Sequence, residues 1–210
     1  MSTFLTGDTH FGHANIIRFC KRPFTDVDDM REGLIQNWNS VVNKQDLVWH
    51  VGDFGMSLPD KEMLELFHAL NGRKRLIIGN HDVDRRGRLT QALARLPWDA
   101  PPTHHAEIKH DGHRIILSHY AGLVWNNMHY GSLQAYGHSH GNLPGLPGAI
   151  DVGVDAQDYS PIPAEEFVRQ ALETRANARE QTEKVIACLM GRLEPRKGRR
   201  EEGDVEEETA

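Results

Sequence analysis

The chain of 210 residues is poor in cysteine: Cys20 and Cys188 are the whole complement. They match no zinc or redox spacing, so two free thiols are expected rather than a disulfide frame or a thiolate metal site. Long apolar runs are also missing, and nothing approaches the roughly 18 residues that would suggest a membrane span. Residues 3–6 are too short for the apolar region of a secretory signal and have no basic lead-in, so a cytoplasmic location is expected. An excess of positive charge is lacking as well. The formal net charge is −6, and six acidic residues with no Lys or Arg fall in the last ten positions. The remainder is near neutral, so no global basic field recruits nucleic acid, although a local phosphate-binding surface is allowed. What is present, 39% hydrophobic and 26% charged residues, is the composition of a globular domain with one sizeable core.

Several apolar runs stop at a particular kind of residue. The stops are Asp8-Thr9-His10, Gly52-Asp53, Gly79-Asn80-His81-Asp82, Ser118-His119 and Gly137-His138-Ser139-His140. Short apolar runs read as buried strands, and open α/β sheets place their sites at the carboxyl ends of strands. The runs at 3–6, 47–51, 75–78, 106–110, 113–118, 133–136 and 149–154 predict strands, with Asp111-Gly112 as a tight hairpin turn. Apolar spacing predicts helices over 26–42, capped by Asp26, and over 59–70, ended by Asn71-Gly72. A shorter helix is expected at 88–96, and another after Pro163 along Phe167, Val168, Ala171 and Leu172. The mixture suggests two sheets packed together with helices outside. A domain is expected over 1–175, with an extension over 176–210. In that extension Val185, Ile186, Leu189 and Met190 add a turn or two of helix before a charged, disordered tail.

Asp, Asn and His are oxygen and nitrogen donors suited to divalent metals. Asp8 and His10, two apart, would face one side in extended chain, and His138 and His140 repeat the spacing. Asp53 has two oxygens with which to bridge cations, Asn80 adds a carbonyl oxygen and His119 an imidazole. Seven donors exceed the needs of one tetrahedral zinc and suit two cations roughly 3.5–4 Å apart. Four positive charges against Asp8 and Asp53 leave an electropositive site, which would attract a phosphate oxygen and lower the pKa of a bridging water. His81 is placed to protonate a leaving oxygen, with Asp82 fixing its tautomer. His13 and Asn15 are candidates for contacts to substrate, and Arg18 and Arg22 for bidentate phosphate contacts. Tyr120 and Trp125, between two donor segments, offer a surface for stacking on a base or for packing a lid.

In this order and combination, from residue 3 to about 167, the motifs resemble the calcineurin-like metallophosphoesterase superfamily. The resemblance implies an α/β fold (α+β in some schemes), a four-layer αββα sandwich of two packed mixed β-sheets flanked by helices. It implies that Asp8, His10, Asp53 and His140 hold one metal, and Asp53, Asn80, His119 and His138 the other. His81 becomes the acid or phosphate-contacting histidine. The expected activity is hydrolysis of phosphoric esters by in-line attack of a metal-bridging hydroxide. A phosphodiesterase on small or nucleotide-type substrates is favoured, because the interval 120–136 leaves little room for a specificity cap. The alternatives are a phosphomonoesterase or protein phosphatase, or a non-catalytic metal-binding scaffold for protein interaction. The expected cofactors are two divalent metals, manganese first, with iron, zinc, nickel or cobalt also compatible. The expected partner is a small phosphate ester, with nucleic acid less favoured and no membrane.

Overall fold

The computed structural model describes residues 1–193. The basic and acidic blocks that were expected to form a disordered tail lie outside the described residues. In chain order the elements are β1 (Thr3–Thr6), α1 (Ala14–Cys20), α2 (Val27–Val41), β2 (Leu47–His50), α3 (Asp60–Ala69), β3 (Arg73–Leu76) and α4 (Gln91–Ala94). They continue with β4 (His105–His110), β5 (His113–Ser118), β6 (Leu133–Tyr136), β7 (Ala149–Asp151), β8 (Ile162–Pro163), α5 (Ala164–Ala176) and α6 (Ala178–Leu193).

Two four-stranded sheets form, in the orders β3-β2-β1-β8 and β4-β5-β6-β7. Both are mixed. In the first, β1, β2 and β3 run parallel and β8 antiparallel to β1. In the second, β4 and β5 are an antiparallel hairpin, while β5, β6 and β7 are parallel. Asp111 and Gly112, both at positive φ (45° and 78°), make the two-residue turn of that hairpin.

Period-two alternation assigns the faces. Leu5 and Trp49 turn inward and meet Ile115, Leu117, Leu133 and Ala135 of the second sheet. Phe4, Val48 and Leu76 turn outward onto Met30, Leu34 and Trp38 of α2 and Met63, Leu66 and Phe67 of α3. Each such fully buried side chain contributes about 1.5–3 kcal/mol. Asp26 starts α2 by accepting from the backbone N–H groups of Asp28 and Asp29 at 3.0 and 2.9 Å. On the far face of the second sheet, Tyr136 and Ala149 pack with Leu146 and with Val185 of α6. The result is an α/β sandwich of two packed mixed sheets with helices outside.

The largest departures from the expected boundaries are these. β3 ends at Leu76, so Ile77 and Ile78 already belong to the connection into the donor loop; Ile77 forms a single bridge to Thr103. The helix expected at 88–96 shrinks to α4, because Asp84 holds Arg88 by side chain and backbone and keeps that stretch a loop. The strand expected to reach 154 stops at Asp151, whose carboxylate accepts from Gly153 N–H at 2.8 Å and turns the chain. α6, at 16 residues, is much longer than one or two turns.

Candidate metal centre

All five donor segments emerge at the same end of the sandwich, where the strands deliver them. The chain does not stay extended there. Asp8, His10, Asp53, His138 and His140 all have positive φ, between 47° and 65°. The expectation that Asp8 and His10 share a side because the backbone is extended is therefore corrected. The left-handed backbone turns both side chains inward, while Thr9 between them donates to Phe54 O at 2.7 Å. Such conformations cost about 1–3 kcal/mol each in non-glycine residues and persist where the surroundings over-determine them. At Gly137 a Cβ would stand 2.5 Å from Asp8 Oδ2, so only glycine lets the β6 loop pass that close. The approach leaves His138 N–H donating to the same oxygen at 2.8 Å.

Among the described residues three groups of potential donor atoms, each mutually within 4.8 Å, result; two are made of expected donors, Asp8, His10 and His140, and Asp53, His119 and His138, while the third, Cys20, His140 and Asp155, shares His140 with the first. Asp53 is the near edge of the second group, with Oδ2 at 3.4 Å from His10 Nε2 and 3.5 Å from His119 Nε2. Those are distances for charge attraction rather than good hydrogen bonds. Asp8 Oδ1, Asp53 Oδ2 and both ring nitrogens of His10 are buried without a hydrogen-bond partner. Burying such groups unpaired costs about 1–3 kcal/mol each. His119 adds a sharper conflict. Its Nδ1 is 2.8 Å from Val51 O and so carries the proton, which turns the Nε2 lone pair toward Asn80 Oδ1 at 3.0 Å. Two acceptors that close are reconciled by a shared cation, by a second proton on the ring, or by an Asn80 amide turned to present its NH2. The donor set therefore fits divalent metals on grounds internal to the chain.

Electrostatics agree. In the protein without metal, burial pushes the Asp8 carboxyl up to about 8 despite the pull of His140 and His119. Burial lowers His10 to about 3. Burial would raise Asp53, yet its closeness to His119 and His10 and the His81 N–H hold it at about 2. Burial opposes charge on His140, but the Nδ1 contact with Asp155 Oδ2 at 2.7 Å lifts it to about 10.

Asp155 is a residue that sequence reasoning missed. It holds the His140 ring through Nδ1, leaving Nε2 as the nitrogen available to a metal, and it also accepts both Nε and Nη2 of Arg22 at 2.8 and 2.7 Å. Its signal was there to be found: a carboxylate just past Gly153, where an apolar run stops. Arg22 is no substrate contact. It is buried, and its remaining N–H groups go to Thr9 O and Asp8 O at 2.9 and 2.6 Å, bracing the first donor loop from beneath. Asp82 is corrected likewise. Its carboxylate accepts from the N–H groups of Asp53, Phe54 and Gly79 at 2.8, 2.9 and 2.8 Å, so it ties two donor loops together instead of orienting the His81 ring.

His81 itself is exposed, edge-on to His10 at 5.1 Å, with its N–H donating to Asp53 Oδ1 at 2.8 Å. His13 lies 5.5 Å from His10 and 5.9 Å from His81, ring to ring, and joins the site. Asn15 is exposed in the first turn of α1 with no contact linking it to either cluster, and Arg18 reaches over the Phe19 ring. Trp125 donates to Ser132 O and packs against the Tyr136 group. Among the described residues, His104, His105, His110 and His113 join no metal-like group.

Ordered donors at five strand ends of a double mixed sheet, sharing one central aspartate, are the arrangement that the metallophosphoesterase resemblance of the sequence implies. The chain is 32% identical over 174 residues to the uncharacterized protein MJ1445 of Methanocaldococcus jannaschii, spanning 79% of this chain and 89% of that one. It is 30% identical over 180 residues to the gene 66 protein of Mycobacterium phage D29, covering 74% and 88% respectively. A solved protein of unknown function from Aquifex aeolicus superposes with a TM-score of 0.64 at 28% identity, covering 80% of this chain and 98% of that one. No protein-family profile matches the chain.

Proposed function

We propose that the protein is a di-metal-dependent hydrolase of phosphoric esters, and specifically a phosphodiesterase acting on small or nucleotide-type substrates. The observation that carries this reading is the buried, unpartnered donor atoms of Asp8, His10 and Asp53, set in two donor groups of which Asp53 is the near edge of the second. Asp8, His10, His140 and Asp53 would hold one cation, and Asp53, Asn80, His119 and His138 the other. When bound, the two cations supply charge neutralisation for phosphoryl oxygens and lower the pKa of a water between them. Manganese is the first metal to test, since the donors are imidazole, carboxylate and amide with no thiolate among them.

The remaining roles belong to the chain's own side chains. Asp155 and Val51 O fix the orientation of His140 and His119, so the donor set is preorganised. His81, tethered through its N–H to Asp53 but with an exposed ring, offers a proton to the departing oxygen of the ester. His13, beside His10 and His81, would contact a phosphoryl oxygen.

The test is hydrolysis of bis-p-nitrophenyl phosphate after reconstitution with manganese, with an Asp53→Asn variant in parallel. Metal-dependent turnover that the variant lacks supports the reading. Absence of turnover with every divalent metal tried would sink the diesterase and leave a strict monoesterase or a scaffold.

A further inference from the structure

A cleft of about 760 Å³, within the size range that accepts small ligands, is lined by His138 of the second donor group and His140 of the first. Its two sides differ. One is the β6 loop, where Gly137, His138 and Ser139 bring imidazole and backbone to the surface. The other is apolar, made of Tyr120, Leu143 and, from the C-terminal helix α6, Leu189.

Tyr120 is the informative member. Its ring stands T-shaped against His138 at 4.6 Å and against His119 at 5.0 Å, so it is in contact with the second donor group. It is nevertheless 54% exposed. An aromatic ring that is fixed by two histidines and open on the cleft side is a surface for a flat partner. Leu189 is 38% exposed across the cleft, and the position of α6 is set by Val185, buried against Tyr136, Leu146 and Ala149. The Cys188 thiol also reaches Asn142 O, in the turn just past His140, at 3.6 Å. The helix of the expected C-terminal extension thus forms a wall of the site.

We propose that this cleft takes the base of a nucleotide-type ester, stacked on Tyr120 and backed by Leu189, while the phosphate lies at the metal donors. This rests on the phosphoesterase reading above and narrows its substrate class. A nucleobase suits the cleft because it has an apolar face for Tyr120 and a polar edge for the His138–Ser139 side. An acyl chain would need apolar lining all round, which the polar β6 loop does not provide. Stacking on an aromatic side chain tolerates any base, so the site selects for a base without selecting which one.

The experiment is a calorimetric titration of the manganese-loaded protein with thymidine 5′-monophosphate and with 2-deoxyribose 5-phosphate, which differ only in the base. Wild type is expected to bind the nucleotide roughly tenfold or more tighter. Tyr120→Ala should bring nucleotide affinity down toward that of the sugar phosphate, Tyr120→Phe should restore it, and Leu189→Ala should give an intermediate loss. Equal affinity of wild type for the two ligands would overturn the proposal, as would the same proportional loss for both ligands in Tyr120→Ala. Hydrolysis of thymidine 5′-(p-nitrophenyl phosphate), measured on the same preparations, separates the two claims. Base-dependent binding without turnover sinks the hydrolase and keeps the cleft; turnover without base-dependent binding does the reverse.

Discussion

The two donor groups are built from similar side chains and set in unlike surroundings. Asp8 and His10 are buried, and their group is braced from below by Arg22 and Asp155. In the other group Asp53 and His119 are equally buried, but His138 and Asn80 are exposed and the cleft of Tyr120 opens beside them. The comparison teaches that one half of the site holds its geometry through a buried ion-pair network, while the other half carries the more exposed donors and the contacts with Tyr120. A cation in the braced half should bind more tightly and exchange more slowly than one in the open half.

The largest break in that contrast is Asp53→Asn, which removes the charge common to both halves. It should abolish occupancy of both and reduce turnover below detection, with metal content read by mass spectrometry. Next is His81→Ala. It should keep both metals yet lower kcat roughly 10²–10⁴-fold, as expected for a lost general acid. Equal loss of metal would instead make His81 a structural support of Asp53.

Asp155→Asn sharpens the comparison, because it touches only the braced half. It removes the carboxylate that orients His140, and such supporting partners typically matter about 10–100-fold in metal affinity. One of the two metal equivalents should weaken by that amount while the other holds. The fold should also weaken, since Arg22 would be left as a buried charge without its partner. Uniform weakening of both equivalents would mean that the halves are not separable.

The smallest effect is a pH dependence. With Asp8 at about 8 and His140 at about 10, both braced-half groups are protonated at pH 7 in the metal-free protein. A cation must displace one proton from each, so loading this half should release about two protons and tighten as pH rises toward 8. In the open half burial lowers His138, and Asp53 is already ionised at about 2. Burial works against charge on His119 too, but Asp53 and Asp8 beside it raise its pKa above the ordinary value. Titrating metal in buffers of different ionisation enthalpy counts the protons, and a count near zero for the tighter equivalent would contradict the assignment.

Much of this was written in local sequence. Strands that end at Thr6, His50, Ser118 and Tyr136 follow from short apolar runs halted by glycine or polar donors, and α2 follows from its apolar stripe and its Asp26 cap. The seven donor positions were legible because their chemistry is unusual at strand ends. Tertiary structure alone decided which donors converge, since Asp8 and His140 meet through space across 132 residues. It also decided that their backbones are left-handed, a strain that neighbouring loops impose and no dipeptide reveals. Arg22, Asp82 and Asp155 looked from sequence like substrate contacts, tautomer setters or nothing at all. Each is instead spent on buried loops, because a charged group inside a protein is defined by the partner that neutralises it, and that partner is a distant segment of the chain.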